Sequence, residues 1–411
     1  MRDVIVVGAG PAGSAVACHL ARSGLDVLVL EKASFPREKV CGDGLTPRAV
    51  QELRTLGIDL TAPGWFPNAG IRLIGAGRSL ELDWPDGRGL TRTRADFDDV
   101  LVRQATAAGA TVQQNTKVTG PLQPDGRVTG VRTDKGAHEA RLVVAADGAS
   151  SRLSVALGLR PSGDRPIGIA GRRYFHSPRH DDPYLEIWLD LAPAGYGWVF
   201  GMGDGTCNVG VALLRTEHPD YRGLLSRWLA PLPPAWGLTE ENATGPLRGA
   251  ALPMGFSRRP HYLPGLLLVG DSGGMINPSN GEGIAYALEA ARTAADVITT
   301  AFTSPSPERI LQTYPAVLER ANGAPFALGR AFTRAVEDPR IMRLATRQGL
   351  SHPSLMRLAL KIFGALPASS APAFTDHLAT ALTGLTRSRP FRDTPRRPGT
   401  LSRQRGRVAQ G

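Results

Sequence analysis

The chain has 411 residues, 42% of them apolar and 21% charged, which is enough for two globular domains with a sizeable core. No apolar run approaches the roughly 18 residues that span a bilayer, and a strand begins almost at once, so we expect neither a membrane span nor a signal peptide. The net charge of +11 does not indicate nucleic-acid binding, because residues 387–411 hold eight arginines and one acid and so supply +7 of it. This basic tail, rich in Pro, Gly, Ser and Arg, is predicted to be disordered.

The most specific signal is a glycine-rich turn between two apolar runs. Residues 4–7 and 27–30 have the composition of strands, a helix of small residues is predicted over 12–23, and the second run ends in Glu31. This is the dinucleotide-binding fingerprint in its complete strand–helix–strand context. The glycines allow a tight turn and close approach of a pyrophosphate, the helix start attracts phosphate, and Glu31 can bind ribose hydroxyls. The candidate cofactor contacts in this unit are Gly8, Gly10, Ala12, Gly13, Glu31 and Lys32.

Further along the chain, short strands dominate the middle and helices dominate the end. After a loop over 33–46, we expect a helix over 47–56, a second helix from about Asp96, and strands over 70–74, 79–83, 111–114, 128–133 and 139–145. The later strands are predicted over 167–175, 184–190, 197–201, 207–214 and 266–269, and the later helices over 283–300 and most of 307–385.

This order predicts an α/β protein whose Rossmann-type nucleotide-binding domain is interrupted by a second, α+β domain. Such a discontinuous layout narrows the dinucleotide to FAD, and it is similar to the p-hydroxybenzoate hydroxylase and glutathione reductase superfamily. The predicted divisions are an FAD-binding domain over 1–65, 92–160 and 255–305, an antiparallel-sheet substrate domain over 66–91 and 161–254, and a helical C-terminal region over 306–386.

Two more apolar runs carry motifs that support a flavin. Residues 142–149 contain Asp-Gly, and residues 266–271 end in Gly-Asp and are followed by a proline and by Gly281-Glu282-Gly283. The latter set resembles the second FAD fingerprint of flavoprotein hydroxylases, and residues 94–98 resemble the segment that places an arginine near the cofactor. The resemblance implies that Asp271 binds the ribityl chain and that backbone amides at the following helix start face the flavin, where they stabilise its negative charge when reduced. The contacts implied here are Arg94, Asp147, Gly148, Gly270, Asp271, Pro278, Gly281, Gly283 and Ile284.

The loop after Glu31 narrows the choice among flavoproteins. Residues 35–45, with Cys41-Gly42-Asp43-Gly44, resemble the Cys-Gly-x-Gly loop of the geranylgeranyl reductase family, which aromatic hydroxylases of this fold lack. Residues 196–200 resemble that family's Tyr-x-Trp-x-Phe-Pro motif, and residues 41–50 are particularly similar to its actinobacterial menaquinone reductase branch. The chain departs from the motif at Gly201, where the family usually has proline, and we expect the wall of the substrate pocket to differ there.

The resemblance implies an FAD-dependent oxidoreductase that saturates isolated double bonds of a polyprenyl chain, in a menaquinone side chain or a geranylgeranyl lipid. One alkene carbon would receive a hydride from reduced flavin and the other a proton from an acid. A long apolar tunnel between the sheet of the second domain and the helical C-terminal region would place the alkene and exclude water. Tyr196, Trp198 and Phe200 alternate along a predicted strand, so they share one face and can wall this tunnel. Cys41, Tyr196 and Trp198 are the candidate catalytic residues, and Cys41 and Gly42 are also expected to contact the flavin.

The same resemblance also implies a substrate and an electron donor. These are a prenyl lipid or lipoquinone as substrate and NAD(P)H or a reduced carrier protein as electron donor, with neither nucleic acid nor metal. A lipid substrate and a basic tail predict a cytoplasmic protein bound peripherally at the inner face of the cell membrane. Two alternatives stay open: an FAD monooxygenase of an aromatic or polyketide substrate, and a prenyl-lipid carrier without active flavin. Cys18 and Cys207, in a predicted helix and strand, are expected in the core.

Overall fold

The computed structural model describes residues 1–84, 87–160, 167–214 and 220–362, so the predicted basic tail and the helical prediction beyond 362 lie outside the described residues. The strands are β1 (Arg2–Val7), β2 (Val27–Leu30), β3 (Gly44–Leu45), β4 (Phe66–Asn68), β5 (Gly70–Gly75), β6 (Arg78–Asp83), β7 (Gly89–Thr91), β8 (Thr111–Gln113), β9 (Val118–Leu122), β10 (Gly130–Thr133), β11 (Gly136–Ala145), β12 (Ile167–His176), β13 (Tyr184–Ala192), β14 (Gly195–Gly201), β15 (Thr206–Leu213), β16 (Arg248–Pro253), β17 (Tyr262–Leu263) and β18 (Leu266–Leu268).

The helices cover the connections of the first part of the chain and almost all of its described end. The α-helices are α1 (Pro11–Arg22), α2 (Pro47–Thr55), α3 (Arg94–Ala107), α4 (Arg152–Ala156), α5 (Tyr221–Leu229), α6 (Ile284–Thr303), α7 (Pro307–Leu311), α8 (Tyr314–Ala335), α9 (Pro339–Ser351) and α10 (Pro353–Ile362). Short 3-10 helices cover Pro124–Gly126, Pro234–Trp236, Glu240–Asn242 and Gly270–Gly273.

The first sheet collects strands from distant parts of the chain in the order β17-β18-β11-β1-β2-β8, with β9 and β10 extending it beside the start of β11. Strands β18, β11, β1, β2 and β8 run parallel. All four residues of β2, like the last four of β1, are buried, as expected when helices cover both faces of a parallel sheet. The carboxyl ends of these strands therefore meet at one edge, which is where ligands bind in open α/β sheets.

The second sheet has the order β16-β12-β15-β14-β13-β5-β6. It is antiparallel apart from one parallel pair, β13 with β5. One face packs against α5, with Val209 and Val211 beside Leu224 and Trp228 in a single apolar cluster. The opposite face turns toward the nucleotide-binding edge of the first sheet, and a small third sheet, β3-β7-β4, fixes the loop that precedes β3.

The C-terminal helices close the second sheet on the side of β5, β6 and β13, which α9 contacts directly. Leu350 of α9 and Met356 and Leu360 of α10 join the apolar cluster around Leu73 and Leu185. The predicted helical character is confirmed for the described part of this region. Among the described residues, none of the helices combines the length and the apolar composition that crossing a membrane requires.

Candidate active site

The shared edge of the parallel strands opens into a cavity of about 1180 Å³ that continues between the second sheet and α9 and α10. Pockets for single small molecules usually measure ~300–1,000 Å³, so this one has room for a cofactor and a substrate. Gly13, Gly270 and Pro278 do not line the cavity and support it from behind. The predicted site residues that line it are Gly8, Gly10, Ala12, Glu31, Lys32, Cys41, Gly42, Arg94, Asp147, Gly148, Tyr196, Trp198, Asp271, Gly281, Gly283 and Ile284.

The first end of the cavity is built by the glycine-rich turn between β1 and α1. Gly8 has φ +96°, and a Cβ there would lie 2.5 Å from the Ala146 carbonyl oxygen, while a Cβ on Gly13 would lie 1.9 Å from the carbonyl oxygen of Gly8. No side chain caps α1, so its first amides are available to an anion. Glu31 accepts a hydrogen bond from the Ala9 amide at 2.9 Å, which fixes its carboxylate beside the turn.

The middle of the cavity gathers polar groups at the ends of β11 and β18. Asp147 Oδ1 and Glu282 Oε2 are buried without a hydrogen-bond partner among the described residues, although both residues line the cavity. Burial raises the pKa of Asp271, against the opposing effect of Lys39. Helix α6 also starts without a side-chain cap, so its free amides face this region. Unsatisfied polar groups and an open helix start are the features that a bound polar cofactor would satisfy.

Cys41 lies in the loop that crosses from the nucleotide end to the second sheet. Its carbonyl oxygen accepts hydrogen bonds from Asn208 Nδ2 at 2.8 Å and from Arg172 Nε at 3.3 Å. Its Sγ accepts one from the Asp43 amide at 3.3 Å. Burial and the negative charge of Asp43 raise the pKa of the thiol, so Cys41 holds its proton.

Arg94 lies behind this loop, at the start of α3. Its guanidinium donates to both carboxylate oxygens of Asp98, at 2.7 and 2.9 Å, and it also interacts with the Cys41 thiol. Although burial opposes the positive charge, Asp98 raises the pKa of Arg94. Burial also lowers the pKa of Lys39, which lies close to Asp271 and Arg94. The site is therefore lined by cations on the side that would face an anionic ligand.

Three aromatic side chains on β14 form one wall of the cavity, as their alternation predicts. The ring centroids of Tyr196 and Trp198 are 6.1 Å apart, and those of Trp198 and Phe200 are 6.2 Å apart. The Tyr196 hydroxyl donates to the Asn280 carbonyl oxygen at 2.6 Å, which joins this wall to the segment before α6. A Cβ on Gly42 would lie 3.1 Å from Phe200, so the Cys41 loop packs closely on the rings.

Gly201 does not line the cavity, so the expectation that it changes the pocket wall is wrong. A Cβ at this position would lie 2.6 Å from the His180 carbonyl oxygen. Gly201 therefore allows the end of β14 to approach the turn that precedes β13, and its effect is on backbone packing. Cys18 and Cys207 are buried in the core, as predicted.

The far end of the cavity is apolar and lies between the second sheet and the C-terminal helices, where the apolar tunnel is predicted, but its individual lining residues were not predicted. It is formed by side chains of the second sheet and of the two last described helices, which meet only in the folded chain. These residues are Ile71, Leu73, Leu185, Ile187, Leu189, Met342, Ala345, Thr346, Gly349, Leu355, Met356, Ala359 and Leu360.

Sequence reasoning also missed a buried polar network under the Cys41 loop. Asn208 accepts from the indole N–H of Trp198 at 2.9 Å and donates to Asp43 at 2.8 Å, and the Tyr174 hydroxyl donates to the same Asp43 oxygen. Arg172 also pairs with Glu38. One signal was available, because Asn208 is a polar residue inside an otherwise apolar strand. Asp43 lay within the recognised loop but carried no assigned role.

Comparison with known proteins agrees with this geometry. Residues 1–185 match the model of a family described as FAD binding domain. The chain is 36% identical over 382 residues to menaquinone reductase of Mycolicibacterium smegmatis, covering 89% of this chain and 91% of that protein. It is 34% identical over 320 residues to digeranylgeranylglycerophospholipid reductase 1 of Methanopyrus kandleri, covering 73% and 80%. A geranylgeranyl bacteriochlorophyll reductase-like protein from Thermoplasma acidophilum has a similar crystal structure, with a TM-score of 0.75, 26% identity and coverage of 92% and 96%.

Fold and site together define an FAD-dependent oxidoreductase. The cavity fits FAD, because the uncapped start of α1, Glu31 and the unsatisfied Asp147 lie along its polar end. The similarity to the two reductases, over 91% and 80% of their lengths, identifies the family more specifically. The chain belongs to the geranylgeranyl reductase family of flavoproteins.

Proposed function

We propose that this protein reduces isolated double bonds of a polyprenyl chain, and that the chain belongs to a menaquinone or to a geranylgeranyl lipid. The observation that supports this most is the continuity of one cavity, from the polar nucleotide end, past Cys41 and the aromatic wall, to an apolar end. The apolar lining of this end suits a hydrocarbon chain better than a compact polar substrate. The names of the relatives over most of the chain support the same substrate class.

The polar end would hold the cofactor and the apolar end the substrate. Reduced FAD, when bound, supplies the hydride for one alkene carbon. Gly8, Gly10 and the start of α1 would hold its pyrophosphate, and Glu31 its adenosine ribose. Asp271 and the amides at the start of α6 would contact the ribityl chain and the ring. Apolar side chains of α9 and α10 that line the cavity would limit the access of water to a bound prenyl chain.

Cys41 is the group that we assign to proton donation. It lines the junction between the two ends of the cavity, and its raised pKa keeps the thiol protonated at neutral pH. Tyr196 and Trp198 would position the prenyl chain against it. Cys41→Ala should abolish double-bond reduction while FAD remains bound, whereas Cys41→Ser should retain a small fraction of activity. Unchanged turnover in Cys41→Ala would exclude the proton-donating role.

A monooxygenase that acts on an aromatic substrate is the second candidate, and the site supports it less. The fold allows it, but Cys41 and its loop line the middle of the cavity, and the end beyond them is lined mainly by apolar side chains. One assay distinguishes prenyl reduction from monooxygenation. Oxygen-dependent consumption of NAD(P)H with a phenolic substrate, without hydrogenation of any prenyl lipid, would favour the monooxygenase.

The electron donor in this proposal is NAD(P)H or a reduced carrier protein. The sequence has one dinucleotide fingerprint, which the FAD site accounts for, so the donor reaches the flavin without a second Rossmann unit. Anaerobic mixing of the FAD-loaded protein with NADH, with NADPH and with reduced ferredoxin would identify it. Bleaching of the flavin absorbance by one donor within seconds is the expected result.

We also propose that α9 and α10 bind the protein to an anionic membrane surface. Residues 339–362 contain five Lys or Arg and no acid. Ile341, Leu344 and Leu355 are 45%, 59% and 50% exposed. Leu355 also lines the cavity, so the apolar end reaches the surface beside these helices. Basic groups attract anionic lipids and exposed apolar groups enter the interface, so a lipid substrate could pass directly from the bilayer into the cavity.

Sedimentation with vesicles of phosphatidylglycerol and phosphatidylcholine tests this surface. The protein should sediment with anionic vesicles and much less with pure phosphatidylcholine, and Leu344→Glu should weaken the binding several-fold. Val155→Glu is the matched control, because Val155 is also exposed, at 48%, but lies on α4. A variant that ends at residue 386 measures the contribution of the basic tail. If Leu344→Glu binds like the wild type, these helices are not the membrane surface.

A further inference from the structure

One arginine in the loop before Cys41 lines the cavity and has no role in the proposal above. The guanidinium of Arg37 lies at the nucleotide end, because a Cβ on Gly10 would be 3.6 Å from its Nη2 atom. Gly10 directly precedes α1, whose start has no side-chain cap. The guanidinium therefore lies beside the turn that we expect to hold the pyrophosphate of the cofactor.

This guanidinium keeps N–H groups free for a ligand. Its Nη1 forms an ion pair of 3.1 Å with Asp98, and its Nη2 is 3.8 Å from a Glu31 oxygen, which is too far for a hydrogen bond. Each Glu31 oxygen already accepts one backbone amide, from Ala9 at 2.9 Å and from Ala33 at 3.0 Å. Arg37 Nε is buried without a partner in the part of the chain that the structure describes. An added acceptor beside Arg37 would therefore meet unused donors.

A buried aspartate on α3 fixes the guanidinium in place. Asp98 is fully buried, and its two oxygens accept hydrogen bonds from Arg94 at 2.7 and 2.9 Å. Its Oδ2 is also the atom that pairs with Arg37. The Phe35 ring packs on the same guanidinium, with 4.9 Å between Arg37 Cζ and the ring centroid. Two arginines share one aspartate here, so the cluster of Arg37, Arg94 and Asp98 carries a net positive charge.

We propose that Arg37 binds the pyrophosphate of FAD and that Asp98 positions Arg37 for this contact. A planar guanidinium suits this ligand, because two of its N–H groups can donate to two phosphate oxygens at once. Backbone amides at the start of α1 and the Arg37 side chain would then share the pyrophosphate. Asp98 does not line the cavity, so it acts through Arg37. The inference concerns the cofactor and does not depend on the prenyl substrate.

Release of FAD from the loaded protein tests the Arg37 contact without any substrate. The protein is diluted, and the rise in flavin fluorescence gives the release rate. Arg37→Gln should release FAD about 10- to 100-fold faster, since a hydrogen bond between charged groups is lost. Arg37→Lys keeps the charge but not the planar fork, so its rate should be intermediate. Arg103→Gln is the matched control and should match the wild type, because Arg103 also pairs with an aspartate of α3 but is largely exposed.

The salt dependence of release distinguishes a phosphate contact from a purely structural role of Arg37. An ionic contact that is partly open to solvent weakens as salt is added, so NaCl should accelerate FAD release from the wild type. Arg37→Gln should lose much of this acceleration, and Arg37→Lys should keep it. If Arg37→Gln releases FAD at the wild-type rate, or with the wild-type salt dependence, Arg37 does not bind the pyrophosphate.

Asp98→Asn tests the positioning role. Asparagine keeps the shape of the side chain but not its charge, so Arg37 loses its anchor and FAD should leave several-fold faster. Asp99→Asn, one residue further on α3, is the matched control and should match the wild type. If Asp98→Asn does not retain FAD on purification, Asp98→Glu takes its place, because it keeps the charge and moves the carboxylate by one methylene.

A double variant shows whether Asp98 acts through Arg37. Arg37→Gln combined with Asp98→Asn should release FAD no faster than Arg37→Gln alone, because both substitutions remove the same contact. Rates that multiply in the double variant would refute positioning through Arg37. These release rates are measured without substrate, so they stand or fall separately from prenyl reduction.

Discussion

Asn208 stabilises the loop that carries Cys41, and its replacement should be costly. The side chain is fully buried and makes three hydrogen bonds, at 2.8 Å to the Cys41 carbonyl, 2.8 Å to Asp43 and 2.9 Å from Trp198. In Asn208→Ala the first two acceptors keep Arg172 and Tyr174 as donors. The indole N–H of Trp198 has no other acceptor among the described residues. An orphaned buried donor costs about 1–3 kcal/mol, and two weakened acceptors add about 1 kcal/mol, so we expect a loss of about 3 kcal/mol.

Urea unfolding of the FAD-loaded protein, followed by flavin release and tryptophan fluorescence, measures this loss. The control is Asn242→Ala, because Asn242 makes one hydrogen bond of 3.2 Å to Thr239 near the surface and should lose only about 0.5 kcal/mol. Asn208→Ala should also reduce prenyl substrates more slowly, because the Cys41 carbonyl loses its shorter contact. If the two variants lose the same stability, the network under the Cys41 loop does not stabilise the site as argued.

Three further predictions address the cofactor, the tunnel and the pH dependence. Gly13→Ala should purify without FAD, because the new methyl group would meet the Gly8 carbonyl oxygen at 1.9 Å, whereas Gly245→Ala, in open space, should remain yellow. Ala345→Phe fills the apolar end of the cavity, so mass spectrometry should show that the variant still hydrogenates short prenyl chains but no longer hydrogenates long ones. An unchanged preference for chain length would contradict the binding of the prenyl chain in this end of the cavity. The pKa of Asp43 is higher in the folded protein than in the unfolded chain, so the free energy of unfolding should fall as pH rises from about 4 to about 6. At pH 7.5 the variant Asp43→Asn should therefore be more stable than the wild type by about 1–3 kcal/mol. At pH 4 it should have no such advantage.

The nucleotide end of the site was predictable because its determinants are local. The turn from Gly8 to Gly13, the strand before it and the strand that ends in Glu31 are contiguous in the sequence, and Gly8 and Gly13 each meet a steric requirement that can be read from the motif. The later strands at Asp147 and Asp271 follow the same pattern of an apolar run and a polar end. Because parallel strands in one sheet bring such ends together, predicting the sheet also predicted the polar side of the cavity.

The sequence predicts an apolar tunnel between the second sheet and the C-terminal helices, but the residues that line it could not be predicted in the same way. It requires β5 and β13 to pair in parallel across more than a hundred residues and α9 to pack on both, and no local pattern specifies that arrangement. Leu73 and Met342 look like ordinary core residues in the sequence. The polar network around Asn208 was missed in the sequence for a related reason. Asn208 has three partners, two on the Cys41 loop and one on β14, so its importance appears only when the second sheet meets that loop.

Gly201 shows how a motif can mislead. The departure from the family's proline lies directly after the aromatic residues, which suggested a change in the pocket wall. On a strand, however, successive side chains point to opposite faces. Phe200 lines the cavity, and Gly201 therefore faces the turn near His180. Extending the strand alternation from Phe200 to the next residue predicts that Gly201 faces away from the cavity.

The central claim is tested most directly by hydrogenation of a prenyl lipid by the FAD-loaded protein. The flavin would be reduced anaerobically with dithionite, menaquinone or a geranylgeranyl lipid added, and the products weighed by mass spectrometry. The account predicts a gain of two hydrogens for each reduced bond, and two deuteriums per bond when the reaction is run in deuterium oxide, because the transferable hydrogen of dithionite-reduced flavin exchanges with solvent. A reduced, FAD-loaded protein that leaves both lipids unchanged would contradict it.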